Sequence, residues 1–156
     1  MEGPNQPDVR VLNGSEVVRV CQFLGLARLH QGDGRYLVAW IGDIPVGHAY
    51  LTLANPPNLQ DVEINEAYRR RGLARRLVDA AKSAALAQGA RSIVLSVSAR
   101  SPGAQSLYRS LGFEDTGRPP VEVRGTVQIR TGPIEVDDTL LTWEKKLAAP
   151  GENERS

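Results

Sequence analysis

The sequence predicts an α/β fold of the α+β kind, a mixed, mostly antiparallel sheet with one parallel strand pair at its centre and flanking helices. Three observations carry that expectation. The strand-like stretch Leu59 to Ile64 is followed by an amphipathic stretch, Gly72 to Gln88, and then by a second strand-like run, Ser92 to Val97. A helical crossover of that length joins two strands most simply in parallel and right-handed. Tyr36 to Ile41 and Val46 to Leu53 are rich in β-formers and separated by Gly42-Asp43-Ile44-Pro45, which argues for an antiparallel hairpin. Val121 to Ile129 and Thr139 to Leu147, around the turn Thr131-Gly132-Pro133, read as further antiparallel strands.

The other elements follow in chain order. Val9 to Leu12 reads as a short first strand. Ser15 can cap a helix running to about Leu29, with Val17, Val20, Cys21 and Leu24 at helical spacing, ended by Gly32-Asp33-Gly34. Asn55-Pro56-Pro57-Asn58 forces a loop. In the central helix Leu73, Leu77, Ala81, Ala84 and Ala85 form one apolar stripe, and Gly89 is placed to end it. Pro102 to Leu111 reads as a shorter helix stopped by Gly112, after which Phe113 opens a new segment.

Size and composition narrow the function classes. With 156 residues, one domain over residues 9–147 is expected, between polar, aperiodic ends at residues 1–8 and 148–156 that read as disordered. No apolar run is long enough to cross a bilayer, the first residues lack the basic-then-apolar order of a secretory signal, and the single cysteine cannot form an internal disulfide. These features set the expectation of a cytoplasmic protein. Nineteen basic residues against eighteen acidic ones leave a net charge of +1, so nucleic acid would find no broad attraction. Any basic site has to be local.

One local site stands out. Asp61 to Ala80 reads as strand, arginine-glycine turn, then helix, with Arg69, Arg70 and Arg71 just before Gly72 and the small residue Ala74 just after it. Amides at a helix N-terminus have no intrahelical acceptor and sit at the positive end of the helix dipole, so a glycine that admits close approach makes them a phosphate site. The Gly-Lys-Ser/Thr end of a Walker loop and a Gly-x-Gly-x-x-Gly dinucleotide turn are both missing, which argues against nucleotide hydrolysis and dinucleotide redox chemistry.

Arg69-Arg-Arg-Gly72-Leu-Ala74 resembles the Gln/Arg-x-x-Gly-x-Gly/Ala signature of the GNAT superfamily, the acyl-CoA-dependent N-acyltransferases. Ala104-Gln-Ser-Leu-Tyr108-Arg-Ser-Leu-Gly112-Phe113 resembles that family's Ala-x-x-Leu-Tyr-x-x-x-Gly-Phe segment. Two such motifs around a βαβ unit are far more specific than either alone. The resemblance implies a sheet whose central parallel strands splay, and an N-acetyltransferase that uses acetyl-CoA as cosubstrate and no metal. It implies that the turn and helix start, Arg69, Arg70, Arg71, Gly72, Leu73, Ala74 and Arg75, hold the pyrophosphate. Val62 and Ile64 would pair with the pantetheine arm, and Ser101 stands where the family often has an asparagine that helps to hold that arm. Tyr108 matches the acid that protonates the departing thiolate. For a base, Glu63 is the first choice and Asp61 the second, although strand alternation turns Glu63 away from Val62 and Ile64 unless a bulge intervenes.

The acceptor implied is a small-molecule or peptide amine, with no nucleic acid or membrane partner; because Val9 to Tyr36 has room for one long helix or two very short ones, the acceptor groove would be open or completed by a second subunit of a homodimer. Residues Arg118 to Asp138 could form the other groove wall. Plainer readings stand beside these. The arginines could be a solvated basic face, Tyr108 a packing residue, Cys21 a small core residue, and Trp40 and Trp143 core or rim aromatics. His30 and His48 have no partner at metal-ligand spacing, and Glu135, Asp137 and Asp138 read as solvated loop acids. A non-catalytic module that binds or senses acyl-CoA is the alternative to an enzyme, and nucleic-acid contact through the arginine turn is a weaker third.

Overall fold

The computed structural model describes residues 7–24, 34–129 and 132–147. Among the described residues eight strands form one sheet. In chain order they are β1 (Pro7–Val11), β2 (Gly34–Ile41), β3 (Ile44–Thr52), β4 (Asn58–Ile64), β5 (Ser92–Ser98), β6 (Glu114–Asp115), β7 (Val121–Ile129) and β8 (Gly132–Lys146). The helices are α1 (Val17–Leu24), α2 (Leu73–Ala87) and α3 (Pro102–Ser110). The sheet runs β1-β2-β3-β4-β5-β8-β6, with β7 paired to β8, and every pairing is antiparallel except β4 with β5. The mixed sheet with its central parallel pair is therefore as the sequence implies.

Two apolar layers cover the sheet. On one face Leu73, Leu77, Val78, Ala81 and Ala85 of α2 pack on Leu37, Ala49, Leu51, Leu59, Ile93, Leu95 and Val97. On the other, Val20 of α1 packs on Tyr36, Val38, Trp40 and Tyr50. Emptying one of these positions, as Leu77→Ala would, is typically worth about 2–5 kcal/mol.

Helix ends explain how two of these elements are fixed. After α2, the Ala90 amide donates to the Ala85 carbonyl and the Gly89 amide to that of Leu86, with Gly89 at φ 85°. That is the Schellman closure, which requires the left-handed conformation a glycine adopts without strain. The start of α1 departs from expectation. Asn13, not Ser15, caps it: the Asn13 Oδ1 accepts from the Ser15 amide, while the Glu16 carboxylate accepts from the Asn13 amide, a reciprocal capping box. A 3-10 turn at Gly14–Glu16 precedes the helix. The expected continuation to Leu29 and the turn residue Thr131 lie outside the described residues.

The strands also depart from expectation: β8 starts at Gly132, ahead of the expected Thr139, so Glu135, Asp137 and Asp138 lie in a strand and not in a loop. Pro7 and Asp8, placed with the N-terminal tail by composition, pair with Ile41 and Trp40. The β2–β3 connection shrinks to Gly42-Asp43, because Ile44 and Pro45 already pair with Ile41 and Trp40. Pro45 sits beside a register shift there, where a missing ladder donor is tolerated.

The last departure positions the site. In β4, Tyr50 faces Gln60 and His48 faces Glu63, so Asp61 and Val62 together oppose the single residue Ala49. Asp61 takes a left-handed φ of 52° at this bulge. A bulge reverses the parity of the strand beyond it. Leu59, Val62 and Ile64 consequently share the α2 face, whereas Glu63 lies on the α1 face beside His48. We expect Asp61→Val to lower the unfolding free energy by about 1–2 kcal/mol, since a β-branched residue resists φ > 0. Asp61→Gly should cost less, and denaturant titration of the two variants checks the order.

Candidate active-site cleft

β4 and β5 pair only at Asn58 with Val94 and Leu59 with Leu95. Beyond Leu59 the two parallel strands diverge, so the edge of β4 from Gln60 to Ile64 faces a gap. A cleft of about 450 Å³ opens there, within the usual range for a ligand site. Val62, Glu63 and Ile64 line it from the strand, Arg69, Arg70, Gly72, Leu73, Ala74 and Arg75 from the turn and helix start, and Tyr108 from α3.

The turn is built to leave amides free. A 3-10 turn, Glu66–Tyr68, follows β4 and is capped by the Asn65 side chain, which accepts from the Ala67 amide. Arg69 then donates from Nε to the Ile64 carbonyl at 3.1 Å, tying the turn back to the strand. Arg70 and Gly72 both take left-handed φ, 68° and 75°, and curl the chain into the start of α2. Gly72 stands at the N-cap with no side-chain cap hydrogen bond, so the first amides of α2 keep no internal acceptor. A Cβ built on Gly72 would meet nothing within 4 Å, which shows that the space before those amides is open. Positive dipole, uncapped amides and flanking arginines form the donor set a pyrophosphate fits.

Tyr108 owes its position to the residues after it. The Phe113 amide donates to the Tyr108 carbonyl and the Gly112 amide to that of Arg109, a second Schellman closure. The apolar contact that accompanies the motif is the edge-to-face packing of Tyr108 on Phe113, with ring centroids 5.9 Å apart. Burial pushes the Tyr108 hydroxyl above its ordinary pKa, and the charges of Glu63 and Asp61 push it the same way. The ring therefore stays protonated at neutral pH, the state a proton donor needs.

Two residues expected at the cofactor do not line the cleft. Arg71 turns its guanidinium over the Tyr68 ring, 5.2 Å from the centroid. Ser101 is the N-cap of α3, where its hydroxyl accepts from the Ala104 amide at 3.4 Å. Tyr68 and Leu107 do line it, and the sequence reading passed over both. Leu107 precedes Tyr108 on α3, and Tyr68 is the aromatic immediately before the arginine run, so adjacency to the motifs was the available signal. Among the described residues no group of three or more His, Cys, Asp or Glu could hold a metal ion, and no helix is long and apolar enough to cross a membrane.

A parallel strand pair opened over an uncapped helix start makes a cleft suited to a long anionic ligand. A model of the acetyltransferase (GNAT) domain matches residues 23–130, and the chain belongs to that family. No curated protein matches the sequence. Solved structures with the same fold include the ribosomal-protein-S18-alanine N-acetyltransferase of Escherichia coli, 16% identical with a TM-score of 0.69, covering 95% of this chain and 98% of that one. A Bacillus subtilis acetyltransferase in complex with CoA is 18% identical with a TM-score of 0.67, over 92% and 100%. A GNAT family acetyltransferase from Elizabethkingia anophelis with acetyl-CoA bound is 14% identical with a TM-score of 0.62, over 90% and 98%.

The Tyr108 environment gives a pH signature. A hydroxyl whose pKa is raised by folding contributes stability that is present below about pH 10 and is lost as pH climbs through the folded value. Tyr108→Phe should therefore lose less stability than the parent as pH rises above about 10, measured by urea denaturation.

Proposed function

We propose that this GNAT-family chain is an N-acetyltransferase that moves an acetyl group from acetyl-CoA to a primary amine. The observation that carries the reading is the meeting of three parts in one cleft: the uncapped start of α2, the exposed edge of β4 and the protonated Tyr108. The amides of Gly72 to Arg75, with Arg70 and Arg75, hold the pyrophosphate, and Arg69 braces the turn through the Ile64 carbonyl. The pantetheine arm lies along Val62 to Ile64 in the place that β5 vacates, where strand amides find a partner and the thioester carbonyl finds a donor.

The amine approaches from the opposite face. It must be neutral to attack, and Glu63, exposed on that face, accepts its proton directly or through a water. Attack on the carbonyl gives a tetrahedral centre; its collapse breaks the C–S bond and releases the thiolate, which Tyr108 protonates, while the second N–H proton of the attacking nitrogen leaves to solvent as the amide forms and solvent returns a proton to the tyrosine. No acyl-enzyme is needed: Cys21 packs against the α1-side core, and burial pushes its thiol up, away from nucleophilic use. Acetyl transfer to a peptide N-terminus or to a small amine is served equally by this arrangement. A cytoplasmic chain acting as one domain accords with both.

Calorimetric titration with acetyl-CoA tests the cofactor site. Micromolar binding, about −8 kcal/mol, is expected for the parent and its loss for Gly72→Glu, which puts a carboxylate before the helix amides. Tyr108→Phe should bind acetyl-CoA as the parent does but turn over about 100-fold more slowly in a thiol-release assay. A folded parent that binds no acetyl-CoA would sink the proposal.

A further inference from the structure

His48, in the middle of β3, is buried at 5% exposure, and only Thr52 joins it among the buried polar side chains described. The register sets His48 directly against Glu63. Directly opposed residues of antiparallel strands share a face with Cβ atoms about 4.5–5.5 Å apart. The pairing is a product of the bulge. Continued from Tyr50 and Gln60 without a bulge, the ladder would set His48 against Val62 and Glu63 against Gly47.

The surroundings of the ring are mostly neutral. On its other flank β2 presents Val38, and beyond that Arg10 of β1 is engaged by Glu16 and by the Trp40 ring. Across the face lie Tyr36 and Tyr50, with Val20, Cys21 and Leu24 of α1 above them, while Arg19 of α1 is exposed. Asp61 stands at the bulge. Glu63 is the carboxylate that the register places against the imidazole, and it alone of that pair reaches the cleft.

We propose that His48 is a positioning residue for the acceptor reaction, orienting the Glu63 carboxylate and sharing the proton that Glu63 takes from the acceptor ammonium. The inference rests on the acetyltransferase reading above. One N–H bond of the ammonium breaks, and its proton is held between carboxylate and imidazole. The exposed carboxylate returns that proton to solvent once the amide has formed.

The chain holds only two histidines, His30 and His48, so both imidazoles can be followed by NMR through a pH titration. In Glu63→Gln the His48 midpoint should fall by about half a unit or more, because the opposed negative charge that favours imidazolium is gone. A His48 midpoint that stays in place, or a ring that titrates in neither protein, overturns the proposal. Kinetics give the second arm. His48→Gln should lower kcat about tenfold at unchanged acetyl-CoA affinity, and should cost nothing further in a Glu63→Gln background. Independent, additive losses would overturn it. A parent that shows the coupled titration but turns over no amine defeats the transferase reading alone; an active parent with an uncoupled histidine defeats the relay alone.

Discussion

The site depends on one irregularity, the bulge at Asp61. A continuous β4 would keep alternating, and Asp61 and Glu63 would fall under α2 with Leu59. The extra residue instead sends Val62 and Ile64 to the α2 side and Glu63 to the other, and it bends the strand at the point where pairing with β5 ends. One left-handed residue thus supplies both the opening between parallel strands and the separation of the two faces. The cost is local: an aspartate tolerates positive φ better than most residues, and the surrounding ladder to β3 resumes at Glu63.

The two motifs of the sequence have separate mechanical meanings once the bulge is in place. Gly72 works by what it omits. It offers no side-chain oxygen to the first amides of α2 and adopts φ 75° without strain, so an end that would normally be capped stays open. Gly112 works by conformation, at φ 95°, closing α3 so that Phe113 folds back on Tyr108. The fixed spacing of tyrosine, glycine and phenylalanine is the spacing of the Schellman closure itself, with the tyrosine at its carbonyl end and the phenylalanine at its amide end.

Legibility follows from these causes. Periodicity and helix stop signals located α2, α3, the hairpin and the parallel pair, because each is specified by nearby residues. The bulge was not visible, since Asp61-Val62-Glu63-Ile64 alternates polar and apolar without a glycine, and only pairing with β3 reveals the shift. Asn13 took the cap expected of Ser15 because Glu16 lies three residues beyond it and completes the reciprocal bond. Of three consecutive arginines the sequence could not say which would point where. Left-handed φ at Arg70 and the pull of the Ile64 carbonyl on Arg69 divide them, leaving Arg71 on Tyr68. Ser101 read as a cofactor contact because of its distance from Tyr108, yet a serine before Pro102 is equally an N-cap, and that is its role in the fold.

The separation of faces also couples the proposed acid and base. Tyr108 has to protonate a thiolate whose conjugate acid has a pKa near 8.5, while its own hydroxyl is held above 10 by burial and by the charges of Glu63 and Asp61. Proton transfer is uphill in that state. Once Glu63 has taken a proton from the acceptor it no longer bears charge, and one of the three influences that raise Tyr108 is removed. The acid is thus strengthened after the amine has been deprotonated and before the thiolate leaves, the order that direct transfer requires. The same field disfavours loss of the tyrosine proton while the acceptor site is empty, which keeps the donor charged with its proton until a neutral amine is present.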